Sequence, residues 1–515
     1  MFESDRSPPS VTPVGLHARR LIALAALVAA QVFASGSAWA QRTAADWPTE
    51  QPPRALPAPE VDFPDYEVRT LSNGLRVMVV PHHEQPAVSV RLLIKAGAAQ
   101  DPRGKGGVAR LLAAVMDQGT TTRSAPEIAT AIDSIGGGLG TGAASDLTFV
   151  SAVVMKDSFD LVMDLLSDVV RNPVFAADEV ERQRQQTLSG FQVSLNDPEY
   201  IAEIVFDRLV YGFHPYSLPE SGTPASVAAI ARDDLQRFHA TYFVPNNAIV
   251  AVVGDVPAEE AFSAVERVFG DWAARDLPTT EPARPPEPTR RLVVIDKPDA
   301  VQTEIRAGHL AIPRRHPDYM ALTLAVNILG GEGSNRLHRV LRTERALTYG
   351  ASADMVALRS SGDIEAETDT RSEASTEVLR LLVDEFWAIR RNRVNPRELS
   401  DAQAYLTGHF PLTIETPTAI AQQILNVLFY ELDLAELDTF RQRVDAVSVD
   451  DIQRVAREYL KPDRLSIVLV GDARSFADQL PGLGFGEFEV IPLADLDLAD
   501  VNLGGRGVQR SVQPD

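Results

Sequence analysis

Apolar and polar positions alternate through "YEVRTLSNGLRVMVVPHHEQPAVSVRLLIKAGA" (66–98), with a break at Asn73-Gly74. A period of two on both sides of an Asn-Gly pair predicts a β-hairpin, followed here by a further strand. The period then changes. Residues 105–118 and 125–135 carry apolar positions at helical spacing, and so do 157–171 and 177–194. Between these pairs, "GGGLGTGAASDLTFVSAVVM" (136–155) reads as a glycine-rich approach to a strand. Strands first and long helices afterwards predict an α+β domain, an antiparallel-rich sheet with helices on one face.

The pattern occurs twice. "DDLQRFHATYFVPNNAIVAVVGD" (233–255) aligns without a gap on "DDIQRVAREYLKPDRLSIVLVGD" (450–472), with identities that include Tyr242/Tyr459, Pro245/Pro462 and Gly254-Asp255/Gly471-Asp472. Each copy predicts a helix, a turn and a buried strand ending at Gly-Asp. An offset of more than 200 residues points to a duplicated domain, because solenoid repeats are far shorter. Two homologous domains are therefore expected, over 65–276 and 291–485. A linker at 277–290 separates them, where Pro278, Pro282, Pro285, Pro286 and Pro288 rule out helix or central strand. The proline-rich stretch 41–64 reads as an extended leader, and 486–515 as a flexible tail.

The first 40 residues have a different character. Arg19-Arg20 precede the apolar run "LIALAALVAAQVFA" (21–34), and small residues follow at Ala38 and Ala40. This is the pattern of a secretory signal peptide cleaved before Gln41. The run is shorter than the roughly 20 residues of a membrane span. A retained anchor is the other reading; after cleavage no membrane span is expected. The chain has no cysteine, which excludes disulfides, thiolate metal sites and cysteine nucleophiles. A formal charge of −22 argues against nucleic acid and anionic membrane as partners, while leaving basic peptides possible.

Several segments, in order, resemble the pitrilysin-like (M16) metallopeptidases, particularly the short bacterial two-domain forms and mitochondrial processing peptidase. They are "LSNGLRVMVVPHHEQPAVSV", "AGAAQDPRGKGGVARLL", "GGGLGTGAASDLTFV" and "PDYMALTLAVNILGGEGSNRLHRVLRTERALTYG" (317–350), within a similarity running from about 66 to 475. The resemblance implies two α+β sandwich domains of the metallopeptidase-like fold. It also implies a zinc site built on a His-x-x-Glu-His helix, with two histidines as ligands, the glutamate as general base, and a later glutamate as third ligand.

This chain lacks those residues. Placing the motif on "GVARLLAAVMDQGT" puts the first histidine at Arg110, the base at Ala113 and the second histidine at Ala114; the third ligand falls at Gly190. None of the four can ligate zinc or accept a proton, and Arg110 sets a positive charge where a dication belongs. No two of the nine histidines are spaced i, i+4. His82 and His83 are adjacent in an extended context and point to opposite faces. No metal is therefore expected in this chain.

A second family feature is retained. Arg342 and Tyr349 match the family's arginine–tyrosine pair, which the resemblance implies faces the zinc from the C-terminal half or an opposing subunit and hydrogen-bonds the scissile carbonyl. Ser334 is expected to cap a helix buried through Leu337, Val340 and Leu341. The plainer alternative has Arg342 paired with a carboxylate and Tyr349 packed in a core. The family also binds substrate as an added strand on a sheet edge, which implies docking at Gly138, Gly140 and Thr141. Gly140 stands where family members usually carry asparagine, and the plainer alternative is a simple turn.

These readings together imply a non-catalytic subunit of a heterodimeric M16 zinc peptidase. The partner, an M16 homologue with an intact His-x-x-Glu-His, would hold the zinc, and this chain would supply Arg342, Tyr349 and part of a peptide chamber. The signal and the family together imply a periplasmic location. The alternative is an inactive peptide-binding or scaffold protein of the same fold.

Overall fold

The computed structural model describes residues 62–279, 284–287 and 290–504, and the backbone of 509–510. The expected signal peptide and most of the expected leader lie outside these residues. The leader's last residues do not behave as a leader: Phe63 is buried, edge-on to Tyr66. Its aromatic ring belongs to a core, so the folded part begins by residue 62 or 63.

The first half builds a six-stranded mixed sheet in the order β1-β2-β6-β3-β5-β4. Its strands are β1 (Glu67–Thr70), β2 (Arg76–Pro81), β3 (Ala87–Ile94), β4 (Gly138–Ala143), β5 (Thr148–Met155) and β6 (Ala248–Gly254). The predicted hairpin at Asn73-Gly74 is present as β1–β2, with Gly74 at φ 88. β2 runs parallel to β6 and every other pairing is antiparallel. The glycine-rich stretch is itself a strand, β4, rather than an approach to one. The longer helices are α1 (Val108–Met116), α2 (Ala125–Asp133), α3 (Phe159–Arg171), α4 (Ala177–Ser194), α5 (Pro198–Tyr211), α6 (Arg232–Tyr242) and α7 (Ala258–Phe269).

The second half repeats the plan. Its strands are β7 (Arg291–Asp296), β8 (Gln302–Ala311), β9 (Ala351–Ala357), β10 (Gly362–Arg371), β11 (Ser466–Gly471), β12 (Glu489–Pro492) and β13 (Gln509–Arg510). They form a sheet in the order β13-β12-β7-β11-β8-β10-β9. Its longer helices are α8 (Tyr319–Gly330), α9 (Ser375–Arg391), α10 (Pro396–His409), α11 (Pro417–Phe429) and α12 (Val449–Tyr459). The repeated segments become α6–β6 and α12–β11. Glycine ends each strand because a neighbour passes close. A Cβ at Gly254 would lie 2.1 Å from the Ala87 carbonyl oxygen, and one at Gly471 2.5 Å from Thr303 Oγ1.

The expected flexible tail is corrected as far as residue 504. β12 pairs in parallel with β7, Ile491 is buried, and Leu503 is fully buried beneath a bridge between Leu496 and Gly504. The apolar residues at 488–503 find a place on the sheet, which the run of acidic residues around them obscured.

Helices on one face alone is also too simple. Each sheet packs its own half's helices on one face: α1, α3 and α7 in the first half, and α8, α9 and α12 in the second. The other face takes one helix from the opposite half. α11 lays Ile420, Ile424 and Leu428 on Met78, Val80, Ile249 and Val253. Reciprocally, α5 lays Ile201, Val205 and Phe206 on Val293, Ile295, Val468 and Val470. The two exchanged helices start alike. Asp197 caps α5 through the Glu199 N–H (3.1 Å) and Thr416 caps α11 through the Ala419 N–H (3.2 Å), each followed by proline at the first helical position. The halves are thus interlocked rather than separate beads.

Candidate functional site

α1 carries the positions where the resemblance calls for zinc chemistry. Asp101 caps it, accepting from the N–H groups of Gly107 (2.6 Å), Val108 (3.1 Å) and Ala109 (2.8 Å). Leu111, Leu112, Val115 and Met116 turn into the core. Arg110 and Ala114, one turn apart, share the face toward β4; Arg110 is exposed and Ala114 half-buried. Arg110 Nη1 donates to the Ala143 carbonyl of β4 at 3.2 Å. Ala113 is buried, and its carbonyl accepts from Thr141 Oγ1 at 2.7 Å. Gly190 lies exposed on α4, which packs against α1. Methyl groups, a guanidinium and a glycine offer no lone pair to a cation, so these positions do not fit zinc. Among the described residues no cluster of three or more His, Asp or Glu is arranged to hold a metal.

β4 is the edge of its sheet and pairs only with β5. Packing explains one of its glycines and not the others. A Cβ at Gly142 would lie 2.5 Å from the Phe149 ring, whereas one at Gly138 meets nothing and one at Gly140 comes no nearer than 3.8 Å to Ser151. Gly138, Gly140 and Thr141 are therefore brought together on an edge strand beside Arg110.

The expected arginine–tyrosine pair, Arg342 and Tyr349, lies in the second half. Asn335, not Ser334, occupies the N-cap position, and its Nδ2 donates to the Asn327 carbonyl; Ser334 Oγ instead reaches Glu332 at 3.1 Å. The segment Arg336–His338 is helical and continues as a π-helix over Arg339–Glu344. Leu337, Val340 and Leu341 are buried as expected, and Arg336 clamps the segment to α10 through two bonds to Glu398 (2.8 and 2.9 Å). Arg342 then projects outward, its guanidinium carbon 4.5 Å from the centre of the Tyr349 ring. Tyr349 is 82% exposed. Its backbone is held by neighbours: Thr348 and Thr368 both donate to the Gly350 carbonyl, at 2.6 and 2.8 Å. The plainer alternative fails on both counts, since Tyr349 is not in a core and Arg342 makes no ion pair among the described residues.

The pair opens on a cavity of about 620 Å³. His338 lies in it, 3.2 Å from Arg342 Nη1 through Nε2. Glu199, Glu304, Glu367 and Asp369 complete an acidic wall. Burial pushes Glu304 up to about 7. The wall continues along β10, where Asp363, Glu365, Glu367 and Asp369 share the face covered in part by α5. Tyr211 of α5 donates to Asp363 Oδ2 at 2.6 Å. Arg306 binds Glu365 and reaches Glu367 at 2.9 Å. Burial raises Asp363 to about 6 and Glu365 to about 8, and holds Asp207 on α5 well above the carboxylate range. This wall was missed in the sequence, although "GDIEAETDTR" (362–371) carries its signal: four acids at a spacing of two belong to one strand face.

The chain matches the insulinase (peptidase family M16) family over residues 76–214 and the peptidase M16 inactive domain over 229–406. An uncharacterized zinc protease of Mycobacterium bovis is 28% identical over 417 residues, covering 80% of this chain and 95% of its own. The zinc protease PqqE of Helicobacter pylori is 24% identical over 418 residues, covering 79% and 93%. Among solved structures, a peptidase M16 inactive domain from Pseudomonas fluorescens superposes with a TM-score of 0.75 at 28% identity, over 79% of this chain and 98% of that one. A Helicobacter pylori protease superposes at 0.73 and 23% identity, over 79% and 99%. The two duplicated halves, their mixed sheets and these matches lead to one conclusion: the chain belongs to the M16 peptidase family, as a member without the zinc-binding motif.

Proposed function

We propose that this chain is the non-catalytic subunit of a heterodimeric M16 zinc peptidase, exported by its N-terminal signal and acting in the periplasm. A second M16 chain with an intact His-x-x-Glu-His would bring the zinc and the general base. The observation that carries the proposal is the asymmetry between two sites. Arg110, Ala113, Ala114 and Gly190 abolish one half of the chemistry, while Arg342 and the exposed Tyr349 stand open on a cavity, Arg342 with no carboxylate partner among the described residues. A guanidinium and a phenol fixed side by side are two donors suited to a peptide carbonyl on which negative charge develops. The acidic wall around them favours peptides carrying lysine or arginine.

A second reading, an inactive peptide-binding protein, draws support from Gly138 and Gly140, where nothing in the fold demands glycine on an open edge strand. Native purification of the tagged mature chain, with mass spectrometry of what accompanies it, separates the two. Recovery of a roughly equimolar M16 homologue bearing the intact motif supports the heterodimer. Recovery of this chain alone favours the second reading.

A further inference from the structure

A different cavity, of about 590 Å³, lies where the two halves and the linker meet. It is walled by Lys95 at the end of β3, by the turn after α5, by Leu277 and Pro278 of the linker, and by the residues following β8, β9 and α11. In a chain of net charge −22 it is unusual in sign: three cations, Lys95, Arg315 and Arg359, face two carboxylates, Asp146 and Glu431.

The carboxylates are already engaged. Asp146 accepts from the Tyr216 hydroxyl (2.7 and 2.8 Å) and from the Arg359 backbone N–H (3.0 Å). Glu431 is divided between Arg315 at 3.2 Å and Lys95 at 3.7 Å. Its backbone sits at φ 54, a left-handed conformation that a glutamate adopts at a cost. Among the described residues the Arg359 guanidinium has no hydrogen bond or ion pair, and Lys95 has no carboxylate nearer than Glu431. Burial, and after it the charges of Arg76 and Arg359, hold the Lys95 ammonium below its usual range against the pull of Glu431. Tyr242 and Tyr430 also line this space, and neither hydroxyl has a hydrogen-bond partner among the described residues. Burial raises Tyr430 to about 12, so it remains a donor at neutral pH. The cavity thus offers cations and hydroxyl donors beside the apolar side chains of Pro215 and Leu277.

We propose that this cavity binds a small organic oxyanion, a carboxylate or phosphate ester on an apolar body, held by Lys95 and Arg359 with the hydroxyls of Tyr242 and Tyr430. The ligand touches both halves and so stabilises their seam. The proposal stands apart from the peptide site and from any partner subunit.

The test is a thermal-unfolding titration of the full mature chain with citrate, inorganic phosphate and phenyl phosphate, each against sodium chloride at equal ionic strength. A saturable rise in melting temperature with at least one of them, absent with chloride, is expected. Response to citrate alone identifies a carboxylate ligand, and response to the phosphates alone a phosphate ester. Arg359→Gln, an exposed position that folding does not need, should weaken the response about 10- to 100-fold, the range for a charged hydrogen bond. Lys95→Met combined with it should abolish the response. No saturable response to any of the three probes, or one undiminished in Arg359→Gln, overturns the proposal.

Discussion

Replacing Glu365 by glutamine should remove a pH dependence from the seam between the halves. Glu365 lies on β10 under α5, the helix lent by the first half, among Arg306, Asp363 and Glu367. Its native carboxyl is raised to about 8, chiefly by burial, against an ordinary value of 4.5. Between those values the native state holds a proton that the unfolded chain has lost. Stability therefore falls as pH rises, by about 1.36 kcal/mol per pH unit, and levels off above pH 8. From pH 6.5 to 8.5 this amounts to roughly 2 kcal/mol from Glu365 alone. Buried histidines act in the opposite sense but elsewhere. His309, lowered to about 4, and His239, also lowered, add stability only as pH rises toward 6.5. Glu304 and Asp101, both raised to about 7, contribute to the fall in wild type and variant alike. Urea unfolding at pH 6.5 and 8.5, at constant ionic strength, reads the difference. Wild type should lose about 2 kcal/mol more across the interval than Glu365→Gln, whose amide can still accept from Arg306. Equal losses in the two proteins would refute the argument.

Phe206 is fully buried on α5 and its ring approaches the Gly308 backbone, so Phe206→Ala should cost about 3–5 kcal/mol in urea unfolding. Because the helices are exchanged, that loss should appear in a single transition; two resolved transitions would contradict the interlock. Gly142→Ala should cost about 1–3 kcal/mol by forcing the Phe149 ring aside, while Gly140→Ala should change stability little; the reverse order in thermal melts would mean that β4 packs differently. Elemental analysis of the purified mature chain should find no stoichiometric zinc, and one tightly held zinc per chain would show that a site exists away from Arg110, Ala113, Ala114 and Gly190.

The parts of this molecule that could be read from the chain are those encoded locally. The Asn73-Gly74 hairpin, the amphipathic helices and the α6–β6 and α12–β11 repeat depend on neighbours within about 20 residues, and all appear in the structure. The exchange of α5 and α11 does not: each has an ordinary apolar stripe, and nothing in the stripe names the sheet that receives it. The strand at 489–492 was lost for a related reason, since four residues become a strand only because β7 offers a free edge. At the site, Leu337, Val340 and Leu341 were legible as a buried face. The stacking of Arg342 on Tyr349 was not, because it depends on a π-helix ending at Glu344 and on threonines that pin Gly350.

In the proposed heterodimer, an M16 chain without zinc chemistry lends a carbonyl-binding pair to a partner that has it. Peptide turnover by the intact-motif partner, reconstituted with wild-type chain or with Tyr349→Phe, tests this directly. The exposed ring can lose its hydroxyl without disturbing the fold, so both complexes should assemble and melt alike. Turnover should fall about 10- to 1000-fold in the variant, the range for removing one transition-state donor. Unchanged turnover with Tyr349→Phe, or a partner fully active without this chain, would contradict the claim.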